Sequence, residues 1–331
     1  MTKDNVNDIK KEDLYLTPRQ IIFCFMSIFS LALVIRNSDV AIEYMSKGLM
    51  LCVRTVIPSL FPFMVISDLL VKSGAVSYLG RILKLPMKIL FGVSGEGGCA
   101  VLLGTLCGFP LGAKTAVAMY DTEKISLSEL ERLLTFSNNP SSAFIISAVG
   151  ISLFGSKDIG VKLYVITLLS AFIVGVAQNI ILHLSGKQRA NVPCYAPRAL
   201  KGSAKHKFGI GTFTESITDS AFGIFKICAF VVFFTAFLGT LGSAAESFNI
   251  PQELKAFVFG FFELTGGMAQ AAEIASEKTG TAVAAFISGW SGVSVHLQIM
   301  SICADRGISF KPYFLAKFFQ AAICATLILL I

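Results

Sequence analysis

Charge is scarce in this chain. Asp, Glu, Lys and Arg make up 15% of its 331 residues, while hydrophobic residues reach 54%. An ordinary soluble domain is about 25% charged. Apolar runs recur along the whole length, which excludes a soluble domain on a single anchor and points to a polytopic membrane protein. Tryptophan occurs once, at Trp290. No HExxH, GxSxG, Walker A or dinucleotide-type glycine motif is present, so no enzyme is expected. No segment is polar enough to hold a nucleotide in a soluble domain, so the chain by itself is not expected to use ATP. The eight cysteines at 24, 52, 99, 107, 194, 228, 303 and 324 form no CxxC pair. They read as small packing residues, with neither disulfides, metal nor cofactor expected.

The apolar runs give candidate spans at about 20–36, 53–71, 97–120, 161–184, 217–241, 280–303 and 312–331. The first nineteen residues form a polar tail, and 20–36 reads as an uncleaved first transmembrane helix, since no Ala-x-Ala cleavage site precedes it. The net charge of +7 is concentrated in one place. Lys187, Arg189, Arg198, Lys201, Lys205 and Lys207 lie together without an acid. Such a run suits a nucleic-acid or anionic-lipid patch, but the positive-inside bias explains the segment better: 186–209 reads as a basic cytoplasmic loop, and no nucleic-acid partner is expected.

Two further apolar stretches have polar, turn-forming centres. These are 126–155 around Ser137-Asn-Asn-Pro-Ser-Ser142, and 254–275 around Glu263-Leu-Thr-Gly-Gly267. Pro140 disfavours helix through Asn139, and Gly266 with Gly267 loosens the second stretch. Irregular backbone at membrane depth survives only when buried in protein or lining a wet cavity. Both stretches therefore read as re-entrant hairpins or discontinuous helices. Charge placement favours a hairpin at 126–155 that enters and leaves by one face, with 97–120 crossing whole. A weak internal repeat relates 124–136 to 307–319, and the Phe91-Gly92, Glu96-Gly-Gly run to Phe259-Gly260, Glu263 and Gly266-Gly267. The expected architecture is all-α and inverted-repeat transporter-like, with halves at 49–185 and 210–331 on either side of the basic loop.

One charge stands out. Lys114 is the only charged residue between Gly97 and Tyr120, one turn past Gly108-Phe-Pro110. A lysine at the bilayer centre costs about 2.5–3.5 kcal/mol on insertion scales. Near a helix start after Gly108, Pro110 and Gly112, its ammonium can hold a carboxylate. It can equally pair with Glu96 or Glu263, or reach an interface. Ser137, Asn138 and Asn139 offer donors and acceptors to a bound solute, or cap helix ends. Thr265 joins them as a binding candidate. Glu263 can take up a coupling H⁺ or Na⁺, or pair with Lys114. His296 and Gln298 do not share a helix face, and Trp290 can stack on an aromatic solute or simply pack.

The run GFPLGAK (Gly108–Lys114), followed by ERLLTFSNNPSSAFIISAVG (Glu131–Gly150), resembles the YlbJ-type sporulation integral membrane proteins of the nucleoside-recognition, or Gate, group. The resemblance extends from about residue 49 to the C-terminus. It implies a distant likeness to concentrative nucleoside transporters, with inverted repeats and helical hairpins. The YlbJ (SpoVV) branch is associated with moving dipicolinate across the outer forespore membrane, which implies a bacterial membrane location. The family pattern carries over to Gly108, Pro110, Gly112, Lys114, Asn138, Asn139 and Pro140. The reading is thus a carrier for a small anionic substrate in a lipid bilayer. A carrier for nucleosides or other metabolites, or a non-transporting scaffold in spore assembly, stands as the alternative. The oligomeric state is open.

Overall fold

The computed structural model describes residues 17–185, 209–244 and 249–331, and all regular structure within them is helical. The polar tail to residue 16 and the basic loop from 186 to 208 lie outside the described residues. Five helical segments are long and apolar enough to cross a membrane: Ser38–Leu70, Lys157–Leu184, Ile210–Ser243, Glu277–Ile302 and Lys311–Leu330. The chain is a multi-pass integral membrane protein. Many large apolar side chains on the outer helices are exposed, among them Phe25, Ile82, Val165, Phe225 and Phe318. In lipid such a surface carries no hydrophobic penalty.

The first helix, α1 (Pro18–Arg36), opens with a capping box in which Thr17 and Gln20 bond reciprocally. It is apolar but shorter than the five spans. Next come α2 (Ser38–Leu51), a π-helical turn Cys52–Val56 and α3 (Ile57–Lys72). This continuous rod runs antiparallel to α9 (Ile210–Ala244). Small residues let the two approach: a Cβ on Gly239 would meet Tyr44, one on Gly48 would meet Val232, and one on Gly223 would meet Met64. Close backbone approach at small residues is the usual source of helix association in lipid. Helix α4 (Ala75–Phe91) then turns by 89° into α5 (Gly95–Cys107).

The remaining elements fall into two sets of the same form. In the first, α5 and α6 (Leu111–Asp121) fold back on one another as a hairpin. A Cβ on Gly104 would lie 3.0 Å from the Gly112 Cα, so the two legs touch backbone to backbone. Helix α7 (Leu127–Phe136), an irregular stretch, and the π-helical segment Ala143–Leu153 follow, then α8 (Lys157–Leu184). In the second set, α10 (Gln252–Phe262) and α11 (Leu264–Ala272) fold back through Gly260 and Gly267. Gln252 at one leg's foot donates to the Gln270 carbonyl at the other's, 3.1 Å away. Then come α12 (Glu277–Trp290), a break at Ser291–Gly292, α13 (Val293–Ile302) and α14 (Lys311–Leu330).

The stretch 126–155 is a broken crossing and does not turn back. Thr135 bonds Gln178 at 3.0 Å, a Cβ on Gly175 would meet Phe136, and a Cβ on Gly160 would meet Ile146. Ascending along 135–146 thus descends steadily along α8. From 178 to 160 that is about 27 Å at 1.5 Å per residue, most of a hydrocarbon core. The expected whole crossing at 97–120 is instead the hairpin α5–α6. The two corrections have one cause. Pro140 interrupts hydrogen bonding without reversing the chain, whereas Gly108, at φ 79°, turns it. Each stretch exchanges its role with the other: 97–120 doubles back, while 126–155 runs on beside α8.

Packing at these crossings leaves no room for side chains. A Cβ on Gly104 would sit 1.9 Å from the Ser137 carbonyl oxygen, while one on Gly211 would meet nothing within 4 Å. Gly104→Ala is expected to destabilise the protein by about 1–3 kcal/mol, the usual range for overpacking. Gly211→Ala should leave stability unchanged or slightly raised. Thermal unfolding of both variants in detergent checks this.

Candidate functional site

Four interruptions of helix meet at one place. At the tip of the α5–α6 hairpin, Gly108-Phe109-Pro110 carries a cis peptide before Pro110. The Phe109 N–H donates to the Asn139 carbonyl at 2.9 Å. A Cβ on Gly108 would lie 2.5 Å from the Ser141 nitrogen, and one on Gly112 would lie 2.4 Å from the Ser137 oxygen. The hairpin tip is therefore pressed directly onto the α7 break. On the other side, Gly292, at φ 84°, packs against the Leu264 nitrogen and the Phe262 oxygen. The α12 break thus rests on the tip of the α10–α11 hairpin.

Between these pairs lies a narrow cavity of about 20 Å³, lined by Phe109, Ser141, Thr265, Ser294 and Gln298 and bounded by Glu263. Apolar side chains close it from the rod and from α9, including Leu60 and Val231. That volume holds about one water. The breaks supply its polar atoms: residues at the starts of α11, α13 and the π-helical segment face it. Helix N-termini present N–H groups that favour an electronegative guest.

Each candidate from the sequence has a definite place here. Ser137, Asn138 and Asn139 are buried, at 0–1% exposed, directly behind the cavity wall that Pro140 and Ser141 form. Asn138 Nδ2 donates to the Leu134 carbonyl at 3.1 Å, and Asn139 Nδ2 to the Phe136 carbonyl at 2.8 Å. The amide nitrogens thus satisfy carbonyls that α7 leaves open at its end. The Asn138 Oδ1 and Ser137 Oγ atoms are buried with no hydrogen-bond partner among the described residues. Gln298 Oε1, in the cavity wall, is likewise unpartnered. Glu263 caps α11, accepting from the Thr265 N–H at 2.9 Å and the Gly266 N–H at 2.5 Å. Gly267 serves the hairpin contact. Trp290 stacks on Phe261 with ring centroids 5.1 Å apart and donates to the Phe261 carbonyl at 2.9 Å. His296 bonds Tyr313 at 2.7 Å through Nδ1.

Lys114 lies one turn along α6 from the hairpin tip and points away from the cavity lining. Its side chain is 41% exposed and its ammonium sits 3.1 Å from Asp68 Oδ1. Its partner is therefore neither Glu96 nor Glu263. Lys72 holds the other Asp68 oxygen at 2.9 Å and also reaches Asp219 at 2.8 Å and Glu215 at 3.4 Å. This cluster ties α3, α6 and α9 together. It lies eight residues along α3 from the cavity-lining Leu60, about 12 Å at helical rise.

Two residues of the site escaped the sequence reading. Asp68 stands at the end of a long apolar run, where it passes for an interfacial charge. Lys317 is fully buried in α14 and donates to the Asn138 carbonyl oxygen and, at 2.9 Å, to Gln320 Oε1. The signal that singled out Lys114 was present for Lys317 too: past Lys311 it is the one charge in the terminal run.

No solved structure matches the chain. Residues 53–157, from the π-helical turn before α3 to the start of α8, match the family described as nucleoside recognition, Gate. The sporulation integral membrane protein YlbJ of Bacillus subtilis (strain 168) is 28% identical over 329 residues, spanning 92% of this chain and 80% of that protein. The hairpin tip, the α7 break and Lys114 all fall within the segment that matches the Gate nucleoside-recognition family, and over most of its length the chain is similar to that sporulation membrane protein.

Proposed function

We propose that this protein is a carrier for a small organic anion, working by alternating access, and that dipicolinate crossing the outer forespore membrane is that anion. The observation that carries the reading is the meeting of four helix breaks at one narrow cavity. Backbone interruptions at membrane depth need a reason, and a solute site is the commonest one. The halves 49–185 and 210–331 are read as inverted repeats. In support, each contains a hairpin, a broken crossing and an unbroken helix in that order. Arg306, just past α13, pairs with Asp121 at the foot of α6. The second broken crossing thus ends where the first hairpin opens. The loop 186–209 is placed in the cytoplasm by its charge.

The cavity is too small for a planar dianion, since solute pockets measure about 300–1,000 Å³. This state is therefore read as the closed one. In it, Asp68 stands where a substrate carboxylate would go, held by Lys72 and Lys114. An arriving carboxylate exchanges with Asp68 and brings its negative charge to the hairpin leg. Ser137, Asn138, Asn139, Gly112 and Thr265 then orient the solute as the tips part. Glu263 is assigned the coupling step, because releasing its cap on α11 is linked to moving that hairpin tip.

A second reading is a nucleoside carrier. The description of the matching family favours it, as does the unpartnered Gln298 Oε1, a ready acceptor for a base N–H. Flux into liposomes holding the purified chain separates the two. Dipicolinate should enter and unlabelled dipicolinate should compete, while uridine should do neither; uridine flux without dipicolinate flux reverses the assignment. Lys114→Ala is expected to cut the initial dipicolinate rate by about 10–100-fold, the loss of a charge-assisted contact worth about 1.5–3 kcal/mol, with normal membrane levels. Glu263→Gln keeps an acceptor for the α11 cap but not the charge. It should fold and bind, yet fail to concentrate solute against a gradient in a counterflow-versus-uptake comparison.

A further inference from the structure

Lys317 has no snorkelling route, because its side chain is wholly buried on α14, which packs against α12, α8 and α7. Among the described residues it forms no salt bridge. Its two acceptors are neutral oxygens, the Asn138 main-chain carbonyl and Gln320 Oε1. Gln320 cannot easily rotate its oxygen away. Its Nε2 is already committed to Asn139 Oδ1 at 2.7 Å and to the Thr167 carbonyl at 3.3 Å. The carbonyl of Asn138 is open because α7 stops at Phe136, and the negative end of a half-helix points the same way. Freed carbonyls and half-helix C-terminal ends coordinate Na⁺ in carriers with broken helices, and here the Gln320 amide oxygen adds a second neutral oxygen.

We propose that the Lys317 ammonium is a built-in cation, filling an oxygen site at the α7 break that would otherwise take Na⁺. The break is then held by a covalently tethered charge, and the carrier cycle runs without a coupling metal ion. The statement about coupling rests on the carrier reading; the statement about the site does not. Residues 137–139 would keep their place under any ionic conditions, and proton movement at Glu263 would be left as the source of coupling.

The test is thermal unfolding of the full purified chain in detergent, with choline chloride replaced stepwise by NaCl, KCl or ammonium chloride at constant ionic strength. The wild-type midpoint is expected to be the same in all four salts. Lys317→Met, which keeps the bulk and removes the charge, is expected to unfold several degrees lower in choline. Na⁺ or ammonium should restore at least half of that loss. Selective protection of the wild type by Na⁺ would overturn the proposal. So would a Lys317→Met midpoint equal to wild type, or one lowered but indifferent to every cation. Should the variant yield no protein, the wild-type salt series still decides. These readouts involve no solute, so failed dipicolinate flux with the expected salt pattern would sink the carrier reading and leave the site standing.

Discussion

Backbone amides and carbonyls within a bilayer must find partners inside the protein, and the architecture follows from that demand. Helix ends exist at four points deep in this molecule, and each brings N–H and C=O groups that its own helix cannot satisfy. The solution is to press the ends together. Phe109 lends its N–H to the Asn139 carbonyl, Glu263 spends both oxygens on the α11 start, and Asn138 and Asn139 turn their amides back onto α7. Glycine makes the approach possible at Gly104, Gly108 and Gly112, where a single methyl group would collide with the facing backbone. The enclosed cavity is what remains where this mutual satisfaction is incomplete.

The unbroken helices supply the frame. Helix α8 carries the first broken crossing along most of a membrane thickness, and α14 backs the second, with Gly289 against Ala321. Lys317 and Gln320 then join α14 to the α7 break, and Thr167 joins α8 to α12 through Ser288 at 2.6 Å. Polar bonds between helices in lipid are individually worth about 0.6 kcal/mol on average. Their arrangement matters more than their sum here, because they fix which halves of the interrupted helices line up.

Much of this was legible in the sequence, for identifiable reasons. Apolar length marked the spans, and Pro140 and Gly108 marked two interruptions, since these residues act through local geometry; Gly266 and Gly267, expected as a break, lie inside α11, where Gly267 serves contact with Gly260, and the break itself falls at Glu263. What Pro140 and Gly108 could not convey was direction. A proline removes a donor whether the chain continues or doubles back, so 126–155 and 97–120 exchanged roles. The site was read with the same bias. Lys114 was conspicuous beside a motif, while Asp68 and Lys317 meet the site only through tertiary contacts spanning 46 and 179 residues. Glu263 was visible as a buried acid, but its capping role depends on where the α10–α11 turn falls, and sequence spacing leaves that uncertain by several residues.

The pairing of Arg306 with Asp121 has its own consequence. It fastens the foot of the α5–α6 hairpin to the segment after α13, with the guanidinium Nε and Nη2 engaged at 2.8 and 2.7 Å. Arg306 holds the Asp121 carboxyl below its ordinary range, so the latch stays ionised through the neutral region. Yet the pair is open to water, and such contacts contribute up to about 1 kcal/mol. That is less than twice the thermal energy. A clasp of this strength sets the register of α6 against the segment after α13 without locking it, so rigidity there is left to the tightly packed interior.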